Sequence, residues 1–83
     1  MNDYQKLSSD LSRVTEFLIS NNLKMASKFS DRIINLYSNL PGKIGSQNLT
    51  IYLRQIANLD GGKMKAAERA MTASIILSKH LDT

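Results

Sequence analysis

Residues 62–81, GKMKAAERAMTASIILSKHL, decide how the chain is read. They follow a helix-breaking Gly61-Gly62 pair, open with Lys63, Lys65 and Arg69, and close on the most apolar run in the sequence. Ala66, Ala67, Ala70 and Ala73 are small enough to let a neighbouring backbone come close, and Ile75, Ile76, Leu77 and Leu81 follow them. The expectation is a helix over 62–81, with its first half serving contact and charge and its second half serving the core.

Working outward, the stretch before it carries Leu49, Tyr52, Leu53, Ile56 and Leu59 at helical spacing, which predicts a third helix over 47–59 capped by Ser46 and stopped by Asp60-Gly61-Gly62. Leu40-Pro41-Gly42 ends the helix before that, because proline disfavours the helical conformation in the residue preceding it. That second helix spans 23–39, with Ala26, Phe29, Ile33, Leu36 and Leu40 inward and Lys24, Lys28, Asp31, Asn35 and Ser38 outward. The first helix spans 3–20, with Tyr4, Leu7, Leu11, Val14 and Leu18 on one stripe, widened by Phe17 and Ile19, and with Asn2 or Asp3 as its cap. Asn21-Asn22 separates the two, since asparagine tolerates the left-handed conformation at a helix end and also caps the next helix. Short connections between four helices predict an all-α fold, a small antiparallel four-helix bundle of two helical hairpins in a single domain over residues 1–83.

The chain has 83 residues, which leaves room for one core, and no cysteine to supply a disulfide or a thiolate metal site. No apolar run approaches the roughly 20 residues of a bilayer span, and MNDYQKLSSD does not resemble a secretory leader, so the expectation is a cytoplasmic protein without a membrane span.

The chemistry of catalysis is thin. His80 is the only histidine, with Asp82 the nearest acid, and no nucleophile, base and orienting group come together around it. The seven acids are spread singly, and Gly61-Gly62-Lys63 lacks the spacing of a phosphate-binding loop. Neither an enzyme nor a cofactor, a metal or a small-molecule substrate is expected. Phe17, Phe29 and Tyr52 are assigned to the core, Tyr4 and Tyr37 to partly exposed positions, and the methionines Met25, Met64 and Met71 to gap-filling. Ile34, Tyr37 and Ile44 form a second apolar stripe, read as a hydrophobic interface beside the basic end.

Charge is the most informative feature. The net charge is +4, with the first helix slightly negative and the second and fourth positive. In an up-down-up-down bundle the second and fourth helices start at the same end. That end collects Lys24, Lys28, Lys63, Lys65 and Arg69, the candidate site for a nucleic-acid backbone or an acidic partner. Partners are therefore expected to be a protein complex, a nucleic-acid backbone, or both.

Three resemblances bear on this. In size and helical plan the chain looks like the small helical subunits of CRISPR effector complexes, which implies an accessory subunit that binds nucleic-acid backbone within a larger complex. It is similar in the same respects to bacteriocin immunity proteins and phage-encoded inhibitors, which implies a module that blocks one protein target. Residues 53–71, LRQIANLDGGKMKAAERAM, resemble a helix-turn-helix in Ile56-Ala57 and the turn glycine Gly61, with Lys63, Lys65 and Arg69 leading the second helix. Gly62 and Asp60 depart from that pattern where apolar residues are usual, and the third implication is a DNA-binding regulator.

Overall fold

The computed structural model describes residues 2–79, which form four helices and one short hairpin. Helix α1 covers Asp3–Ile19 and α2 covers Leu23–Tyr37; strands β1, Lys43–Ile44, and β2, Gln47–Asn48, pair antiparallel; α3 covers Leu49–Ala57 and α4 covers Lys63–Ser78. Local chemistry sets most of these limits. Asn2 accepts from the Gln5 N–H at 2.8 Å while the Gln5 side chain accepts from the Asn2 N–H at 3.2 Å, a reciprocal cap that starts α1. Asn21 ends α1 at a φ of 62°, and the Asn22 side chain then accepts from the Met25 N–H to start α2, as the Asn-Asn pair predicts.

The third helix starts later than the sequence implies. Its cap is Asn48, which accepts from Thr50 at 2.8 Å and Ile51 at 3.4 Å, whereas Ser46 sits in the turn of the hairpin beside Gly45. Two residues per strand are too few to produce a readable alternation. The hairpin is tied down from both sides: the Tyr4 hydroxyl donates to the Pro41 carbonyl at 2.6 Å, and the Leu49 N–H donates to the Gly42 carbonyl at 2.9 Å.

Helix α1 packs against both α2 and α4, α2 also against α3, and α3 against α4. Leu7, Leu11, Val14 and Leu18 of α1 are essentially inaccessible and form the middle of the core. In α4 the alanines take the close-contact role expected of them, but the second half contributes less to the core than expected. Ala66, Ala67, Ala70 and Ala73 are buried, while Ile75 and Ile76 are 51% and 44% exposed. With 3.6 residues per turn, Ile75, Ile76 and Leu77 point in three different directions, so the face that carries Ala66, Ala70 and Ala73 takes Leu77 alone. Met64 and Met71 are also exposed rather than filling gaps.

Small residues let α4 come close to α1, and serines finish the seam. The Ser8 hydroxyl donates to the Ser74 carbonyl at 2.6 Å, the Ser74 hydroxyl donates to the Ser8 carbonyl at 3.1 Å, and Ser12 and Ser74 share a hydrogen bond at 2.7 Å. Burial without a partner costs a hydroxyl about 1 to 3 kcal/mol. Here all three are satisfied.

In α2 Ala26 and Ile33 are buried and Phe29, with Leu40 beyond the helix end, packs partly buried against the core, as expected, but Ser30 and Tyr37 join the buried face and Leu36 leaves it. Leu36 is 58% exposed, and Tyr37, expected at the surface, is buried with its hydroxyl 3.5 Å from Asp10 Oδ2 on α1. Ile44 is buried as well, so Ile34, Tyr37 and Ile44 present no continuous exposed interface, and Tyr37 closes the end of α2 away from Lys24. Ile19, which was expected to widen the inward stripe of α1, is exposed.

Candidate interface at the basic end

The α1–α2 turn and the α3–α4 turn meet. Lys63 Nζ donates to Asn21 Oδ1 at 3.0 Å, which puts the start of α4 beside the start of α2 and gathers Lys24 and Lys63 at one end. The five candidate cations then divide by duty. Lys24 and Lys28, on successive turns of α2, are exposed and have no ion-pair or hydrogen-bond partner among the described residues. Lys63 holds the two turns together and keeps further N–H donors free. Lys65 lies 3.8 Å from Glu68 in an exposed pair, weak because water and salt screen it. Arg69, half-buried, donates to the Asp60 carbonyl and so pins the turn before its own helix.

That turn is under local constraint. Gly62 stands at the cap position of α4 with a φ of 99° and offers no side-chain oxygen, so the first N–H groups of α4 have no side-chain cap. At Gly61, φ 79°, a side chain would also crowd the Lys65 side chain at about 3.1 Å. Burial pushes the Tyr52 hydroxyl pKa up, and the positive charge of Arg69 pulls in the opposite direction.

A cavity that no sequence spacing marks lies at this end. Leu18, Leu23, Ala26, Ser30, Ala57 and Leu59 line a partly open space of about 100 Å³ where the end of α1, the first turns of α2 and the end of α3 converge. Leu59, expected to be a plain core residue, forms part of its wall; it is 37% exposed and has a φ of 54°. Left-handed backbone is rare for a bulky side chain and costs roughly 1 to 2 kcal/mol. Ser30, only 6% exposed, also lines the space, and its hydroxyl makes no hydrogen bond among the described residues. No local signal could have flagged Leu59, because two glycines follow it and either would suit the left-handed position better.

Elsewhere, Ser12, Glu16, Ile19, Met71 and Ile75 border an open groove between α1 and α4. Among the described residues no three His, Cys, Asp or Glu side chains are grouped to hold a metal, and no helix is long and apolar enough to cross a membrane. His80 lies outside the described residues. Compared with known proteins, the chain matches no family model, no curated protein and no solved structure at a significant level.

Proposed function

We propose that the chain is a non-enzymatic accessory protein, an antiparallel bundle of two helical hairpins whose basic end binds an acidic protein surface. The helix directions rest on paired positions: Phe17 with Phe29 and Asp10 with Tyr37 between α1 and α2, and Ser8 with Ser74 and Asn21 with Lys63 between α1 and α4. The observation that carries the choice of partner is the small cavity at the end where the cations gather, lined mainly by leucine and alanine with two serines and no aromatic ring. Single-stranded nucleic acid is usually gripped by cations interleaved with aromatic stacking platforms, whereas protein interfaces seat side chains in small apolar pockets.

A nucleic-acid backbone held by Lys24, Lys28, Lys63, Lys65 and Arg69 is the second reading. It is favoured by the absence of a side-chain cap on α4, since free helix N–H groups suit phosphate. Titration of labelled polyglutamate, oligo-dT and duplex DNA across a salt series separates the two, with a Lys24→Glu, Lys28→Glu variant as control. These two positions are chosen because neither has a structural partner to lose. The acidic-partner reading predicts salt-sensitive polyglutamate binding that the variant loses. Binding of nucleic acid alone favours the second reading, and binding of neither at low salt sinks both.

A further inference from the structure

Basic charge alone does not account for three features that coincide at this end. A partly open cavity lies between three elements, one wall is a leucine held in left-handed backbone, and Ser30, a residue more than nine-tenths buried, borders it with a hydroxyl that makes no hydrogen bond among the described residues and is reached by solvent. Residues kept in sparsely populated backbone regions persist where the surrounding structure fixes them, and they concentrate at binding sites. Cations also stand near the cavity along the chain. Leu23 and Ser27 border the space, and Lys24 and Lys28 are their immediate neighbours in sequence on the same helix. Lys63 stands across the turn on Asn21. Leu23 is 44% exposed, so apolar surface is presented at this end on the same turns of α2 that carry Lys24 and Lys28.

We propose that this cavity is a socket for one aliphatic side chain of an acidic protein segment, with Lys24, Lys28 and Lys63 meeting the carboxylates on either side of it. The proposal rests on the acidic-partner reading above and adds to it a specificity that charge cannot supply. Carboxylates bring the segment to the end over long range, and the anchor side chain selects among acidic segments. The volume suits a leucine or methionine side chain and excludes an indole. The Ser30 hydroxyl is available at the wall to a weak acceptor such as a thioether sulfur or to a bridging water.

The test uses two labelled short peptides of Asp and Glu that differ only at the centre, Leu in one and Ala in the other. They are titrated into the wild-type protein, into Ala57→Leu and Ser27→Leu, which fill the cavity from two sides, and into Lys24→Glu, Lys28→Glu. The Leu peptide is expected to bind the wild type at least about tenfold more tightly than the Ala peptide, as burial of the extra methylene groups implies. Filling the cavity abolishes that preference while leaving the Ala peptide bound as before, and charge reversal weakens both peptides alike. Using two filling variants, each checked for unchanged helical circular dichroism, guards against a folding defect in one. Equal binding of the two peptides, with the charge dependence intact, overturns the socket and leaves the acidic-partner reading standing. If neither peptide binds at low salt, the failure is that of the underlying reading. If salt-sensitive oligo-dT binding is indifferent to Ala57→Leu and the peptides are not distinguished, the socket is overturned in favour of a nucleic-acid backbone.

Discussion

Ala70 and Ala57 both turn toward the interior, yet Ala70 is fully buried in the seam between α1 and α4 while Ala57 borders a cavity of about 100 Å³. The seam is finished at the atomic level. Its serines bond one another and facing carbonyls, and its alanines leave the helices close. At the basic end the Ser30 hydroxyl makes no hydrogen bond among the described residues and is reached by solvent, and space remains between three elements. The two helix endings there sharpen the contrast. After α1 the N–H of Asn22 bonds the Phe17 carbonyl and that of Asn21 the Leu18 carbonyl; after α3 the N–H of Asp60 bonds the Gln55 carbonyl and that of Leu59 the Ile56 carbonyl. The motif is the same, but asparagine occupies the left-handed position in one and leucine in the other. The seam follows the local rules that stabilise a fold, and the basic end departs from several of them at once.

The same substitution in the two regions is expected to have the largest difference in effect. Ala70→Leu overfills the seam and lowers stability by about 1 to 3 kcal/mol, whereas Ala57→Leu extends into free space and changes it by less than about 1 kcal/mol. Urea midpoints at an unchanged slope measure both, and equal losses would mean that the two regions are packed alike. Exchanging the left-handed residues comes next. Asn21→Leu costs about 1 to 2 kcal/mol through backbone strain and also removes the acceptor of Lys63. Leu59→Gly relieves similar strain but gives up partial burial, so its thermal midpoint stays close to that of the wild type.

Smaller effects are expected from the serines. Ser74→Ala takes the partner from the Ser12 hydroxyl and the donor from the Ser8 carbonyl and destabilises by about 1 kcal/mol, while Ser30→Ala removes a hydroxyl that solvent reaches and changes stability by less than about 0.5 kcal/mol. The smallest effect is that of pH. Burial raises the pKa of both Tyr37 and Tyr52 above 10.0, and the Asp10 carboxylate raises that of Tyr37 further. The folded state therefore holds these protons after the unfolded chain has lost them. The contribution is fully present below pH 10 and falls as pH rises above it. The urea midpoint should decline across that range, and Asp10→Asn should reduce the part due to Tyr37.

Helix positions were largely legible because the chain marks them with strong signals. Asn2, the Asn21-Asn22 pair and Leu40-Pro41-Gly42 place α1 and α2 within two residues of the expected 3–20 and 23–39. Faces were harder to read. Phe29 packs on Phe17 as its spacing implies, but Leu36 is exposed and Tyr37 is buried with its hydroxyl toward Asp10 of α1, a choice between neighbouring positions that depends on tertiary contact. The basic end was legible as a collection of cations and not as their division of labour. The acceptors that occupy Lys63 and Arg69 are a side chain and a carbonyl in turns, invisible to spacing. The cavity depends on where three elements converge, and no periodicity encodes that.

The most direct test of the central claim, that the basic end is where a partner docks, is methyl-resolved NMR of the protein titrated with the acidic Leu-centred peptide. The account predicts that shifts concentrate on the methyls of Leu18, Leu23, Ala26, Ala57 and Leu59, with saturation at a single affinity. Shifts confined to Ile19, Met71 and Ile75 would place the binding surface in the groove between α1 and α4 and contradict it.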